Sequence, residues 1–457
     1  MRLPPLRSAA CDYNNEDELL STPTSAAYGE SVISRRVAGY GLFMLTLVYA
    51  FNFIDRQILV ILQEPIKLEM GLSDAQLGLL SGFSFALVYI TAGIPIAYWA
   101  DRSNRRNIIA GSLTIWSGMT ALSGLAQNYS QLLLARIGVG IGEAGGSPPA
   151  HSMISDYYPP AQRATALAIY STGIYLGVAA GFLLGGVISQ VYGWRTAFMA
   201  AGLPGVVLAA VLLLTVREPV RGRWESAPRA AYKPGLRETL ELLTCYRSFW
   251  YLAAAGGLSA FVTYGTGNFA PSFLIRNHGL ALGEVGIILG IISGVGGMLG
   301  TFLGGYLADP FGTRDKRWYL WLPAIAGTLV LPLGVPYLLL ADTTAAIGFM
   351  FFKLVMANCY LAPALAISHT LAPPAMRALT SAVLLFVFNM VGLGLGPLTV
   401  GLLSDFYVAY FGDDSLRYAM LTVVVLGSPA ALLFLLAARH LPADLARSSE
   451  HQSGINE

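Results

Sequence analysis

Charge is what this sequence lacks most. Only 12% of its 457 residues are Asp, Glu, Lys or Arg, while 55% are hydrophobic. Soluble domains carry roughly 25% charged residues, so this chain cannot clothe a water-facing surface and a membrane is implied. Cysteine is also scarce: Cys11, Cys245 and Cys359 are odd in number and far apart, which points to neither a disulfide framework nor a zinc site. A net charge of +2 with dispersed basic residues offers no patch for nucleic acid. P-loop, Gly-x-Ser-x-Gly elbow and zinc-ligand cluster are all missing. No enzymatic activity, cofactor or metal is expected.

Long apolar runs are abundant. Crossing a hydrocarbon core of about 30 Å takes about 20 helical residues, and twelve runs qualify. Six lie at roughly 38–62, 75–100, 107–126, 129–150, 164–190 and 196–216, and six at roughly 249–274, 284–308, 318–340, 344–370, 376–403 and 416–440. The fold class predicted is an all-α membrane protein. The tails, 1–37 and 441–457, are polar, and the first lacks the charged-then-apolar order of a signal peptide.

On this map twenty-one Lys and Arg residues fall on the side of both termini, and only Lys67, Arg195, Arg276 and Arg417 on the other. Positive loops resist translocation, so both termini are expected in the cytoplasm. The segment 217–248, rich in Arg and carrying Pro219, Pro228 and Pro234, separates an amino-terminal bundle, 38–216, from a carboxyl-terminal one, 249–440. The bundles are repeats. "YYPPAQRATA" at 157–166 returns 214 residues later as "LAPPAMRALT", and "AYWADRSNRR" at 97–106 is partly echoed by "GYLADPFGTRDKR" at 305–317. Duplicated six-helix units with a site between the copies are a common plan of secondary transporters.

"AYWADRSNRR" resembles the major facilitator superfamily signature between the second and third helices, with Asp101, Arg102, Arg105 and Arg106 in register and Ala97 and Asn104 standing where glycine is usual. Asn tolerates a left-handed turn, so the loop role is expected to survive. "ARIGVGIGEAG", "GIYLGVAAGFLLGG" and "GWRTAF" are similar to other superfamily segments. "FNFIDRQILVIL" and "LLLARIGVGIGEAGGSPPAHSMISDYYPPAQRATAL" look like the Spinster-like branch. That resemblance implies the major facilitator fold, a multi-pass protein of a bacterial inner membrane, and an amphiphilic lipid-like substrate of lysophospholipid or sphingolipid type. The partners implied are that substrate, protons and membrane lipids, with the chain acting as a monomer.

The residues themselves make a second argument. "VYAFNFIDRQILVIL" at 48–62 buries Asp55 and Arg56 in an apolar run, where helical spacing aligns them with Tyr49 and Asn52. In the fourth run Arg136, Gly140, Glu143 and Ser147 share a face. Each ionised group at a bilayer centre costs about 2.5–3.5 kcal/mol, so the charges must pair or meet water. They are either structural pairs, Asp55 with Arg136 and Glu143 with Arg56, or proton sites. The second reading is favoured, because apolar packing would hold helices without the desolvation cost. Asp55 and Glu143 are then the proton-coupling residues, with Arg56 and Arg136 as partners and headgroup contacts.

Tyr49, Asn52, Ser147, Tyr264, Asn268 and Asn389 are expected to line a cavity, and Asp101, Arg102, Arg105, Arg106 and Asp309 to form a cytoplasmic gate. Lys353 either lines the cavity or snorkels. Gly177 with Gly181, and Gly296 with Gly300, read as close-packing pairs. Two other functions fit the same sequence: transport of a small organic anion or drug, and a non-transporting sensor on the same scaffold.

Overall fold

The computed structural model describes residues 34–100, 102–224 and 235–454. The chain is all-helical over these residues. Its elements are α1 (Arg35–Met70), α2 (Asp74–Gly78), α3 (Ser84–Ala100), α4 (Arg105–Ser123), α5 (Tyr129–Glu143), α6 (Ser147–Tyr157), α7 (Pro160–Thr215), α8 (Leu236–Thr244) and α9 (Arg247–His278). There follow α10 (Leu282–Ile291), α11 (Gly297–Gly312), α12 (Trp318–Leu339), α13 (Thr343–Asn358), α14 (Leu361–Leu371), α15 (Arg377–Val387), α16 (Gly396–Phe411), α17 (Ser415–Gly427) and α18 (Pro429–Gly454). π-Helical turns at Leu79–Phe83, Ile292–Gly296 and Phe388–Leu395 join α2 to α3, α10 to α11 and α15 to α16.

Among the described residues, seven helical stretches are long and apolar enough to cross a membrane. The longest helical stretch among the described residues, α7, has 56 residues, nearly three times the roughly 20 that span about 30 Å at 1.5 Å per residue. It is broken at Gly193, whose φ of 82° and ψ of 161° lie outside helical geometry and suit a residue without Cβ. This break separates the fifth and sixth apolar runs.

One correction comes from capping. Asn104 does not take a left-handed turn: its backbone is extended, with φ −67° and ψ 113°, and its side-chain oxygen accepts from Asn107 N at 3.0 Å, capping α4. Asn serves there because an orphan helix donor needs an acceptor, a need that Gly cannot meet. The carboxyl-terminal tail is also helical, since α18 runs on to Gly454. It is anchored where Asp444 accepts from Ser248 N at 2.7 Å and Ser448 Oγ donates to Leu371 O at 2.9 Å.

The duplication is visible in the broken helices. α5 and α6 are matched by α13 and α14, and the boundaries shift by 214 residues, from 129 to 343, 147 to 361 and 157 to 371. Even the caps correspond, Asn128 before α5 and Asp342 before α13. Gly177 and Gly181 on α7 behave as close-packing residues: a Cβ on the first would collide with the Ala50 carbonyl of α1, and one on the second would crowd Gln57.

The core is in three parts. One cluster includes Leu45, Leu113, Trp116, Ile154 and Leu212 from α1, α4, α6 and α7. Another includes Leu252, Leu320, Leu371 and Phe434 from α9, α12, α14 and α18. The largest joins both halves of the sequence through Ile66, Leu77, Phe198, Phe273, Val285 and Met420. The halves therefore share a core at the end carrying Glu64 and Asp74 and pack largely around their own at the end carrying Arg105.

Candidate functional site

The four charges of α1 and α5 meet. Arg56 Nε donates to Glu143 Oε2 at 2.6 Å, and Arg136 Nη1 donates to the backbone carbonyl of Asp55 at 3.2 Å. Asp55, Arg136, Glu143 and Asn52 are buried, while Arg56 keeps 17% of its side chain accessible. The expected ion pair between Asp55 and Arg136 is not formed by the side chains. Arg136 approaches α1 where the Asp55 carbonyl is presented, and the carboxylate turns instead to α4, taking a 3.3 Å hydrogen bond from Ser117 Oγ. Asp55 Oδ1, Glu143 Oε1 and Arg136 Nε have no hydrogen-bond partner among the described residues. Buried polar atoms are normally paired; three unpaired ones in one cluster leave room for a proton or a ligand group.

Aromatic rings close the cluster. The Arg56 guanidinium lies 5.2, 4.8 and 5.1 Å from the ring centroids of Phe53, Phe85 and Tyr89, within cation–π range. Tyr49 stacks on Tyr170 with centroids 4.4 Å apart and interacts with Ser147 at the start of α6. Tyr264 of α9 comes within electrostatic reach of Arg56. Asn268 and Asn389 are less engaged: each donates its amide to the carbonyl one turn back, Tyr264 O and Leu385 O, at 2.9 Å. The residues gathered around the charges are thus Tyr49, Asn52, Ser147 and Tyr264.

At one end of the molecule Arg105 is a hub. Buried at the start of α4, it donates to Asp156 at 2.5 Å, Glu218 at 2.7 Å, Ser152 at 2.8 Å and Pro219 O at 3.0 Å. Arg106 adds its backbone N–H to Glu218 at 2.9 Å and a side-chain bond to Val216 O at 3.2 Å. These contacts bind α4, α6 and the chain beyond α7 to one another within the amino-terminal half. Arg102 is exposed over the Tyr98 ring at 3.9 Å. Asp309 accepts from Tyr319 at 3.0 Å within the carboxyl-terminal half. Asp101 lies outside the described residues.

At the opposite end, contacts cross between the halves. Asp74, at the start of α2, takes both terminal nitrogens of Arg276 from α9, together with Lys67 Nζ at 2.5 Å and Ser404 Oγ at 2.7 Å. Arg276 Nε reaches Glu64 at 2.8 Å. Asp405 of α16 accepts from the backbone N–H groups of Asp74 and Ala75, both at 2.9 Å, as carboxylates do at helix N-termini.

The family model described as Major Facilitator Superfamily matches residues 45–397. The chain belongs to that superfamily. Within it, the chain is Spinster-like. A solved bacterial homologue of the human lysosomal transporter Spinster, inward-facing and unoccupied, superposes with a TM-score of 0.84 at 34% identity, over 90% of this chain and 99% of that one. An MFS-type efflux pump of Mycolicibacterium smegmatis is 38% identical, over 83% of this chain and 88% of its own. Human protein spinster homolog 1 is 26% identical, over 90% and 83%. A probable galactarate/D-glucarate transporter of Bacillus subtilis is 26% identical over shorter stretches, 63% and 69%.

This major facilitator transporter is thus an integral, multi-pass membrane protein whose buried charges were legible by helical spacing. Sequence reasoning missed Phe53, Phe85 and Tyr89. Their signal was present in the spacing, with Phe53 one turn before Arg56 and Phe85 one turn before Tyr89. It also missed Asp156, Glu218, Glu64, Asp74 and Asp405, for which no local signal separates a lock from an ordinary helix-end charge.

Proposed function

We propose that this chain is a proton-coupled secondary transporter of an amphiphilic, lipid-like solute, working by alternating access in a bacterial inner membrane. It crosses twelve times with both termini in the cytoplasm, acts as a monomer, and divides into bundles at 38–216 and 249–440. The observation that carries this reading is the buried cluster in which Arg56 is paired with Glu143 while Asp55 keeps a carboxylate oxygen without a partner. Burial disfavours the ionised form of a carboxylate and an adjacent arginine favours it, so Asp55 and Glu143 can exchange protons as the helices shift. A released arginine then holds the head of the solute, and the rings around Arg56 receive the start of its chain.

Alternating access is supported by the contrast between the two ends. The shared core and the Asp74–Arg276 contacts close one end, taken here as the outer one because Lys67 and Arg276 belong to the poorly charged side. Arg105 and Arg106 brace the other end, where Arg102, Asp101 and Asp309 are the residues proposed to form a cytoplasmic lock when that end closes.

The deciding experiment is flux of a labelled lysophospholipid in proteoliposomes under an imposed pH gradient. Accumulation that collapses with the gradient supports the proposal. The sugar-acid transporter among the relatives favours a second reading, a small organic anion as substrate; competition by glucarate but not by lysolipid would decide for it. Binding without flux of either would indicate a sensor.

A further inference from the structure

We propose that the carboxyl-terminal half holds a second site, built around the buried ammonium of Lys353, that binds the anionic head of an amphiphile, a carboxylate or a phosphate. Lys353 lies on α13 and is 3% exposed. Its Nζ donates to Thr266 Oγ1 of α9 at 2.5 Å. That partner is neutral, and no carboxylate stands within ion-pair distance of Lys353 among the described residues. Arg56 and Arg105, by contrast, each have a carboxylate of their own. An ammonium removed from water without a counter-charge is strongly disfavoured. A visiting anion supplies what the fold omits.

The surroundings suit such a visitor. Lys353 lines a small cavity of about 40 Å³ together with Thr266, Phe182, Ile292, Ser293 and Tyr337. Tyr337 is almost fully buried, and its hydroxyl has no hydrogen-bond partner among the described residues. Thr266 takes one of the three ammonium protons. The remaining two and the phenol O–H are donors awaiting acceptors, and an anionic oxygen is an acceptor only. Phe182, contributed by α7 of the amino-terminal half, and Ile292 give the apolar wall on which the first carbons of a chain can lie.

The duplication places this cation meaningfully. The shift of 214 residues that maps α5 on α13 sets Lys353 opposite Val139 and Met350 opposite Arg136. Lys353 therefore stands one helical turn from the counterpart of Arg136. Arg136 joins α5 to α1 through the Asp55 carbonyl, and Lys353 joins α13 to α9 through Thr266. The first copy keeps the carboxylates of Glu143 and Asp55 within electrostatic reach of its cation, whereas the second leaves the place of the anion open. The site rests on the transporter reading only for its physiological meaning.

The test is thermal unfolding of the purified full-length protein in an uncharged detergent, titrated with hexyl phosphate, hexanoate and, as uncharged control, hexanol. A ligand bound to the folded state raises the melting temperature. Both anions should raise it and hexanol should not. Lys353→Met should fold with an unchanged or higher melting temperature, since it removes an unpaired buried charge, and should weaken the response to the anions about tenfold or more. Lys353→Arg should retain the response, and Tyr337→Phe, which leaves the ammonium in place, should reduce it. A Lys353→Met protein stabilised like the native one overturns the proposal, as does a native protein indifferent to both anions or a response lost on Arg56→Met alone. Inorganic phosphate distinguishes the sources of the anion: weaker stabilisation than by hexyl phosphate supports an amphiphile's head, and equal stabilisation overturns that part in favour of a free anion. Stabilisation by hexyl phosphate with no vesicle flux of lysolipid supports the site while removing the transport reading.

Discussion

Arg276 and Asp74 meet in a two-point contact, with Nη1 and Nη2 each 2.8 Å from a different oxygen of one carboxylate. The pair ties α9 of one half to α2 of the other. Charge-assisted contacts of this forked geometry are strong and specific in direction. Asp74→Asn should weaken them and shift the resting population towards opening at this end. Spin labels at Leu68 and Tyr410, both exposed at the ends of α1 and α16, would report the change as a longer distance. An unaltered distance distribution would show that the contact is not a lock.

Asp55→Asn should preserve the packing around α4, because the amide oxygen can still accept from Ser117, while removing the titration. Exchange of labelled lysophospholipid across vesicles is expected to continue, and accumulation driven by a pH gradient to cease. Persistent uphill accumulation with protons as the sole energy source would remove Asp55 from the coupling mechanism. Glu143→Gln is expected to act in the same direction but less completely, since interacting carboxylates titrate as a pair.

Arg105→Ala should be among the most destabilising changes outside the transport path. It leaves Asp156 and Glu218 without their shared cation, and breaking a buried pair costs about 3–5 kcal/mol. Arg105→Lys should recover only part of that, because an ammonium cannot fork to several acceptors as a guanidinium does. Thermal unfolding in detergent would measure both, and a melting temperature of Arg105→Ala equal to that of the native protein would contradict the hub.

Gly177→Leu should destabilise the contact of α1 with α7 by roughly 1–3 kcal/mol or more through overpacking. Gly39→Leu makes a suitable control, since nothing lies within 4 Å of a Cβ added there. Equal unfolding temperatures for the two variants would mean that the helices yield at Gly177 without strain.

The helices and the buried charges were readable because both leave periodic traces within one segment: apolar length gives the helix, and spacing aligns Arg136 with Glu143. What spacing cannot convey is direction in space. It put Asp55 near Arg136, yet the contact runs through the Asp55 carbonyl. Long-range partners were less legible still. Arg105 finds Glu218 across 113 residues and Arg276 finds Asp74 across 202, and a carboxylate at a helix end carries no mark of its distant partner. Nor does the polar composition of the tail beyond 441 announce that Asp444 and Ser448 are fastened to α9 and α14.

The contact of Asp405 with α2 is specified from one side only. Its acceptors face main-chain amides of residues 74 and 75, and those amides are the same whatever side chain position 75 carries, proline excepted. Selection acting on this part of the closure would therefore mark residue 405 and leave residue 75 free to drift. A search for compensating substitutions between α2 and α16 would pass over a bond that holds the two halves together.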